Sequence, residues 1–508
     1  SEMAAKGNVG IELNLDLVPA REEGMTPYEY LLSESQERML FVVKPGTEHQ
    51  LITIFLKWGL TAVVVGKVLK DNVVRVLYKN KTVVNLPASA LADDTPIDKH
   101  TLIKDIPKEI TNHWKWKENQ LPLPSLKGII SDRNVLLSWN KITLKLLDNP
   151  SISSKSWIYN QYDYQVQNNT IIPPGQGDAA VVRLRPINSF NKNSNRGIAA
   201  VVDCPNRWVA LDPERGSIAA VAEASRNISC VGALPLAVTD NLNFSSPNNP
   251  FGFWQLSMSC KGLSTACKYL ETPVTGGNVS LFNETRLSNG TIEPIQPTPV
   301  VGMVGLVDNL STVVGNAWKD ISDTIWLLGL PLENLNTETE YVSLSASIYL
   351  ETIFGLTTGR PPKIDLNYEK LLQTLLRKLI SNNLINSSHD VSDGGLIISL
   401  AECSIASNLG INCILPETDS RIDRILFGES GSRILVSISQ ANINSFKKEL
   451  NNFNIKNDIC LSAFHLGEII SKNQFLISMN DSQLIDLSIP ELKSSFKNAI
   501  PRRIKSKE

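Results

Sequence analysis

Two short polar segments stand out by residue type and spacing. TDNLN occupies residues 239–243, and GGNVS occupies residues 276–280. Each follows an apolar run typical of a strand, so we expect both segments to be loops at strand ends, where folds often present ligand groups. Carboxylate and amide oxygens suit Mg²⁺ with a phosphate partner, and paired glycines let backbone N–H groups approach a phosphate. The alternative is that both are ordinary turns whose Asp and Asn close Asx-turns or cap helices.

A third polar cluster is SESQER at residues 33–38, which resembles GESGSR at residues 428–433. Both precede an apolar run, and both contain a Glu and an Arg. The shared Glu and Arg predict a structural pair that links a turn to a strand. Gln36 is present only in the first segment, which indicates a ligand contact there.

A fourth cluster is HDVSDGG at residues 389–395, followed by a helical pattern. Asp390 and Asp393 are candidate metal ligands. The alternative is that Asp393 caps the helix that begins after it. Capping is the commoner role of an aspartate before a helix.

Other kinds of site lack their sequence signals. No segment has the P-loop spacing, and no G-x-G-x-x-G follows a strand, so kinase and Rossmann dinucleotide sites lose support. No C-x-x-C pair occurs, and the five histidines are scattered along the chain, as are the seven cysteines, which argues against a zinc site or a nucleophilic triad. The cysteine pattern also fits a reducing compartment. With 49 basic and 51 acidic residues, the chain has no electrostatic signature of nucleic-acid or membrane binding.

The chain contains a long internal repeat. Residues 1–15 match residues 401–415, and residues 31–43 match residues 426–438. A third block from Gly66 matches one from Gly467. Collinear blocks with small shifts of offset predict two copies of one domain with different loops. The second copy alone carries HDVSDGG before its first block, so we expect the first copy to lack its N-terminal portion.

This repeat divides the chain into five predicted parts. They are a truncated first copy at 1–95, a connector at 96–150 with one helical piece, an α and β domain at 151–310, the complete second copy at 311–495, and a basic tail at 496–508. We expect Trp114, Trp116 and Trp139 to anchor the connector to a domain surface.

Several of these blocks together resemble a known family, the synthetase subunit of phosphoribosylformylglycinamidine synthase in its multi-subunit form. The matching blocks are REEGMTPYEYLLSESQERML at 21–40, PLAVTDNLNF at 235–244, TPVTGGNVSLFNET at 272–285, PTPVVGMVGL at 297–306, HDVSDGGL at 389–396 and LFGESGSR at 426–433. The blocks keep the family's order and extend along essentially the whole chain.

The resemblance implies an α+β fold, a tandem-duplicated aminoimidazole-ribonucleotide-synthetase-like fold whose first copy is incomplete. It implies a ligase of purine biosynthesis that amidates formylglycinamide ribonucleotide, with ATP and Mg²⁺ as cofactors. Ammonia would come from a glutaminase subunit assisted by a small accessory subunit. The expected location is the cytoplasm, with a plastid-type organelle as the alternative.

The resemblance also implies roles for individual residues. They are ATP contacts for Asp240 and Gly277, a magnesium ligand in Asn278, and substrate contacts for Ser280, Glu34, Ser35 and Gln36. The family's catalytic histidine belongs to a first N-terminal-type domain that has no counterpart here. We therefore expect the chain alone to bind nucleotide weakly without turnover. Two alternatives stay open: another enzyme of the superfamily, such as a thiamine-phosphate kinase or selenophosphate synthetase, or a non-catalytic scaffold that docks a glutaminase.

Overall fold

The structure is a computed structural model that forms two compact units, Ser1–Lys99 and His100–Glu508. It describes residues 1–20, 22–34, 38–131, 133–185, 194–332, 340–417 and 419–505. Helices and strands occur in both units, which confirms the predicted α+β class.

The first unit is built around a four-stranded sheet of order β2-β1-β3-β4. Its elements are α1 Glu2–Gly7, β1 Gly10–Asn14, α2 Pro27–Leu32, α3 Glu48–Lys57, β2 Gly66–Leu69, β3 Val73–Tyr78 and β4 Lys81–Pro87. Helix α2 begins at a capping box, in which Thr26 and Glu29 satisfy each other's backbone N–H groups.

The first half of the second unit contains a six-stranded sheet of order β11-β10-β14-β9-β8-β7. Its elements are α4 Lys108–Trp114, β5 Ile129–Ile130, β6 Leu136–Leu137, α5 Trp139–Leu147, α6 Ser156–Tyr159, β7 Thr170–Ile172, β8 Ala180–Arg183, β9 Gly197–Asp203, α7 Asn206–Leu211, α8 Pro213–Cys230, β10 Leu234–Asn243, α9 Pro250–Leu270, β11 Val274–Ser280, β12 Glu284–Arg286, β13 Ile292–Pro294 and β14 Thr298–Val307. One face of this sheet contributes Val238, Leu242 and Met303 to a core that includes Ala220 of α8 and Leu263 of α9.

The second half contains a seven-stranded sheet of order β17-β20-β15-β21-β18-β22-β23. Its elements are β15 Thr324–Gly329, β16 Val342–Ser343, α10 Ile348–Phe354, α11 Leu366–Ser381, β17 Ser387–Asp390, α12 Gly395–Ser407, β18 Gly410–Leu415, α13 Ile422–Phe427, β19 Glu429–Ser430, β20 Arg433–Ile438, α14 Ile443–Asn457, β21 Ser462–Ile470, β22 Gln474–Met479, β23 Ser482–Ser488 and α15 Ile489–Lys505. Within the residues that the structure describes, no helix combines the length and apolar composition of a membrane span.

Strand register confirms the repeat. Strand β1 pairs antiparallel with β2 and parallel with β3, and β18 pairs in the same two ways with β21 and β22. The first residue of each central strand is a glycine in the same surroundings. A Cβ on Gly10 would lie 1.9 Å from the carbonyl oxygen of Asp71, and one on Gly410 would lie 1.9 Å from that of Lys472. Only glycine fits so close to another backbone, so the matching glycines mark one shared fold.

The connector is more ordered than the single predicted helical piece, because α4 and α5 both lie within it. The expectation that tryptophans anchor it is confirmed. Trp139 is fully buried in the core around the seven-stranded sheet, and the Trp114 indole N–H donates to the carbonyl of Leu211 over 2.8 Å.

Candidate functional site

The two polar segments are strands, so the prediction that they are loops was wrong. Residues 239–243 belong to β10 and residues 276–280 to β11, and the two strands are parallel neighbours at one edge of the six-stranded sheet. Among the strands that the structure describes, β11 pairs with β10 alone and is an edge strand, where glycine and asparagine are tolerated better than in a central strand.

The register of this pair aligns the predicted site residues. Asp240 lies opposite Gly277, Asn241 opposite Asn278, and Asn243 opposite Ser280. The predicted ATP, metal and substrate residues of the second repeat therefore lie within four consecutive positions of one edge strand and its neighbour.

Strand alternation divides these residues between the two faces of the sheet. Asp240 shares a face with Val238 and Leu242, the core residues that pack beneath α8 and α9. A Cβ on Gly277 would lie 1.7 Å from Asp240 Oδ1, which shows that the carboxylate rests directly over this glycine. Gly276 has open space instead, with no atom within 4 Å of the place that a Cβ would take.

The opposite face carries the amides and the hydroxyl. The Asn278 side-chain Nδ2 donates to Asn241 Oδ1 over 3.3 Å, and the Asn243 side chain donates to the carbonyl of Asn241 over 3.0 Å. Ser280 Oγ donates to Asn283 Oδ1 over 3.2 Å. Three side-chain amides and a hydroxyl thus line the far side of the same sheet edge.

A cavity of about 520 Å³ opens beside Asp240, between α9 and the start of β11. Helix α9 is fixed at its start by Asn249, whose Oδ1 accepts from the N–H of Phe251 over 3.0 Å, and Pro250 occupies the first turn. Residues Cys260, Ser264 and Lys268 follow at four-residue intervals along α9 and line the cavity together. Burial raises the pKa of Asp240.

The other predicted substrate residues belong to the first unit. Glu34 is exposed just after α2, and Arg38 donates to the carbonyl of Ser33 over 2.6 Å. Ser35 and Gln36 lie outside the described residues.

Asp390 is engaged in a buried ion pair. The Arg226 guanidinium donates to both Asp390 carboxylate oxygens, and its Nη1 donates to Glu369 over 2.9 Å. Burial raises the pKa of Asp390 even though the charge of Arg226 lowers it. Among the described residues, no group of three or more His, Cys, Asp or Glu side chains is arranged to hold a metal ion.

The alternative prediction, that Asp393 caps the following helix, was wrong. The cap position of α12 is Gly394, whose φ of 81° lies in the left-handed region that glycine adopts easily. Asp393 accepts instead from Arg207 over 2.9 Å. The ion pair with an arginine from α7 takes the carboxylate away from the helix end.

The predicted Glu–Arg pair is also absent as a direct contact in the second copy. Glu429 accepts from Arg207, from the Trp208 indole and from the backbone N–H groups of Ile348 and Gly394, at 2.8 to 3.3 Å. Arg433 donates to Ser430 and to the carbonyl of Gly428. Glu429 therefore ties together α7, α10 and the turn before α12.

Sequence reasoning missed the role of His389, because its partners are distant in the chain. His389 Nδ1 lies 2.6 Å from Asp178, and Nε2 lies 3.2 Å from Glu402. Burial by itself lowers the pKa of His389, but the carboxylate of Asp178, with further contributions from Cys403 and Glu402, raises it well above the usual value. The imidazolium is a structural cation between two carboxylates.

This arrangement makes a pH prediction. A histidine whose pKa is raised in the folded protein adds stability that is complete below the unfolded pKa of about 6.5 and is lost as pH rises through the folded pKa. The stability difference between wild type and His389→Gln should therefore shrink above pH 6.5, by up to about 1.4 kcal/mol per pH unit. Urea unfolding of wild type and His389→Gln from pH 6 to 9 measures this difference in the free energy of unfolding. A difference independent of pH would mean that the imidazole is neutral.

Comparison with known proteins identifies the domains. The model of the AIR synthase related protein N-terminal domain matches residues 176–307, which contain both polar strands. The model of the C-terminal domain of the same family matches residues 1–79 and again residues 324–475, in agreement with the internal repeat.

Relatives and solved structures agree with these domains. The chain is 62% identical to phosphoribosylformylglycinamidine synthase subunit PurL of Prochlorococcus marinus, over 100% of this chain and 64% of that relative. It thus spans less than two thirds of the relative's length. The structure titled T. maritima PurL complexed with ATP is 26% identical, with a TM-score of 0.56, and the match covers 92% of this chain and 60% of that one. The complex of T. maritima PurL with FGAR gives 25% identity and a TM-score of 0.55, over 92% and 59% of the two chains. The chain belongs to the AIR synthase related protein family.

Proposed function

We propose that this chain carries part of the active site of an ATP-dependent ligase that amidates formylglycinamide ribonucleotide to formylglycinamidine ribonucleotide. One observation carries the proposal: the parallel register that aligns Asp240 with Gly277 and Asn241 with Asn278 at a free sheet edge. The relatives' name and the T. maritima complexes with ATP and FGAR support it. Glutamine-derived ammonia reaches the site from a glutaminase subunit that works with a small accessory subunit.

Each predicted residue has a defined task in this proposal. Asp240 and Gly277 contact ATP, and Ser280 contacts the ribonucleotide substrate. The exposed residue Glu34 of the first unit, together with Ser35 and Gln36, forms a second set of substrate contacts.

The proposed domains keep the boundaries given above: 1–95, 96–150, 151–310, 311–495 and 496–508. Helix α15 runs from Ile489 to Lys505 across the last boundary. The residues of the basic tail that the structure describes are thus continuous with the helix that ends the second copy.

The reaction needs positioning and charge stabilisation more than covalent chemistry by the protein. ATP phosphorylates the amide oxygen of the substrate, and ammonia then displaces phosphate. Asp240 orients the nucleotide, while the backbone at Gly276 has room for a phosphate, because no atom lies within 4 Å of the place that a Cβ would take there. Proton transfers are assigned to the family's first N-terminal-type domain, which has no counterpart among these residues.

The residues present fit a magnesium ion that is held mainly by phosphate. Asn278 and Asn241 bring two side-chain amides together, and an amide oxygen is a ligand type that Mg²⁺ accepts. Asn278 would hold the ion, with phosphate oxygens and water completing its shell. Magnesium, when bound, offsets the charge on the transferring phosphoryl group.

Complementation tests the proposal. We expect the chain, co-expressed with the part of the Prochlorococcus marinus relative that it does not match, to form formylglycinamidine ribonucleotide from ATP, ammonia and formylglycinamide ribonucleotide. Asn278→Ala should raise the magnesium concentration required by about tenfold or more. Assembly of a complex that captures a glutaminase yet forms no product would favour the scaffold alternative, and an unchanged magnesium requirement would remove Asn278 from the site.

A further inference from the structure

A small cavity of about 260 Å³ lies between the start of α8 and the segment that precedes α11. Its charged wall contains three cations and two carboxylates, namely Arg215, Arg360, Lys363, Asp212 and Glu214. Glu214 is already engaged, because its carboxylate accepts from Lys261 over 3.0 Å. The volume is below the range of about 300 to 1,000 Å³ that is usual for drug-sized ligands, so the cavity fits a small ion or a single charged group.

Arg360 is held in place by two contacts. Its Cζ lies 3.9 Å from the centre of the Trp114 ring, and its Nε donates to Asp212 over 2.9 Å. Asp212 is itself fixed, because it caps α8 by accepting from the N–H of Arg215. Within the part of the chain that the structure describes, the two terminal amino groups of Arg360 make no hydrogen bond. A planar guanidinium with one edge anchored and the other edge free is suited to bind a phosphate or a carboxylate.

The segment that carries Arg360 and Lys363 is rigid. Pro361 and Pro362 separate the two cations, and both prolines are buried. A proline fixes its own φ at about −65°, which limits the movement of the two side chains relative to each other. The carbonyl of Pro361 accepts from Arg215 Nη1 over 2.9 Å, which ties the third cation to the same segment. The fold therefore keeps three positive groups close together.

The positive charge of this group is only weakly compensated by Glu340. Its carboxylate lies 3.4 Å from Arg215 and 3.5 Å from Lys363, and its side chain is 52% exposed. A long, exposed ion pair of this kind contributes little stability and is easily exchanged for another anion. Burial lowers the pKa of Arg215, and the positive charge of Arg360 is the next largest cause. An added anion would relieve this repulsion between the two arginines.

We propose that this cavity binds a phosphate group, either inorganic phosphate or the end of a small phosphate ester, through Arg360, Lys363 and Arg215. Three cations match the three free oxygens of a phosphate ester better than the two oxygens of a carboxylate. On binding, the phosphate displaces the carboxylate of Glu340. The inference goes beyond the proposed function and does not rest on it, because none of these residues is assigned to ATP, magnesium or the ribonucleotide.

Equilibrium dialysis of the chain against radiolabelled phosphate, at low salt and without magnesium, measures this binding. We expect one site with a dissociation constant of about 1 mM or below, and acetate at the same concentration should not compete. Arg360→Gln should weaken phosphate binding about tenfold, because it removes the free guanidinium edge. Arg196→Gln is the matched control. It removes the same charge from an exposed ion pair with Asp308 and should change phosphate binding by less than about twofold.

Glu340→Gln keeps the test independent of folding. Loss of the competing carboxylate should tighten phosphate binding about threefold or more, and an unfolded variant cannot produce such a gain. Ribose 5-phosphate identifies the source of the phosphate group. Competition at or below the concentration of inorganic phosphate assigns the site to an ester, and weaker competition assigns it to the free ion.

Several results would overturn the inference. They are no phosphate binding at about 10 mM, equal competition by acetate, no gain in Glu340→Gln, and equal weakening by Arg360→Gln and Arg196→Gln. A loss in Asn278→Ala as large as that in Arg360→Gln would instead place the phosphate at the sheet edge. None of these results decides the ligase proposal, which the complementation test judges by product formation. Conversely, absence of product does not affect a phosphate site that Arg360→Gln weakens and Glu340→Gln strengthens.

Discussion

Replacing Arg226 with methionine should lower the free energy of unfolding of the unit His100–Glu508 by about 3 to 5 kcal/mol. Arg226 is 1% exposed, and it donates to Asp390 and Glu369, which are 3% and 0% exposed. Methionine fills much of the volume but leaves two buried carboxylates without their cation. Breaking a buried pair from one side is costly because the remaining charge has no water to solvate it.

Two more acidic groups make this position sensitive to pH. Burial raises the pKa of Asp203 to about 8, and the charge of Asp390 is the next largest cause. Burial also raises the pKa of Glu223 well above its usual range, with the charge of Asp203 as the next largest cause. The charge of Arg226 opposes both shifts. Without it, the carboxyl groups should take up protons more readily, and protonation removes the uncompensated charge. The stability deficit of Arg226→Met should therefore be largest in alkaline solution and smaller as pH falls.

Urea unfolding followed by tryptophan fluorescence measures this effect, because every tryptophan except Trp58 lies in this unit. Arg196→Met is the matched control. Arg196 pairs with Asp308 over 2.9 Å, but the two side chains are 57% and 75% exposed, so the control should cost less than about 1 kcal/mol. If Arg226→Met also lowers the free energy of unfolding by less than about 1 kcal/mol, solvent or another group solvates the two carboxylates.

The repeat is the part of the fold that sequence predicts best. Gly10 and Gly410 occupy positions where a side chain would collide with backbone, so the requirement is local and leaves a visible match between distant segments. The strands between 177 and 205 and the helix near 214–233 are also predicted from the sequence, because the apolar pattern of each is complete within a few residues. Patterns of this kind predict topology once two copies can be aligned.

The site is less predictable because it depends on partners far away in the chain. The composition of residues 276–280 indicates a turn, yet parallel pairing with β10 makes them a strand. Asp178 and His389 are 211 positions apart, and no spacing rule connects them. Glu429 and Arg433 were expected to pair with each other, but Arg207 from α7 reaches Glu429 instead. In each case tertiary contacts decide between local alternatives that the sequence leaves nearly equal.

Gly277→Ala should damage both the sheet edge and nucleotide binding, whereas Gly276→Ala should leave the fold intact. The new Cβ at position 277 would lie 1.7 Å from Asp240 Oδ1 and 2.7 Å from the Asp240 carbonyl oxygen. Asp240 can rotate away, but the backbone oxygen can move only if β10 and β11 separate. Overpacking of this kind costs about 1 to 3 kcal/mol, and the displaced carboxylate can no longer meet the nucleotide.

We expect ATP to bind Gly277→Ala about 10- to 100-fold more weakly, as measured by equilibrium dialysis and by product formation in the complemented enzyme. The comparison with Gly276→Ala concerns stability alone: a methyl at that position meets nothing within 4 Å, and its unfolding free energy should stay within about 0.5 kcal/mol of wild type. If Gly277→Ala and Gly276→Ala have equal free energies of unfolding, β10 and β11 separate at the sheet edge without a measurable cost. Unchanged ATP binding in Gly277→Ala would mean that the nucleotide does not depend on the position of Asp240, because the added methyl and that carboxylate cannot occupy the same place.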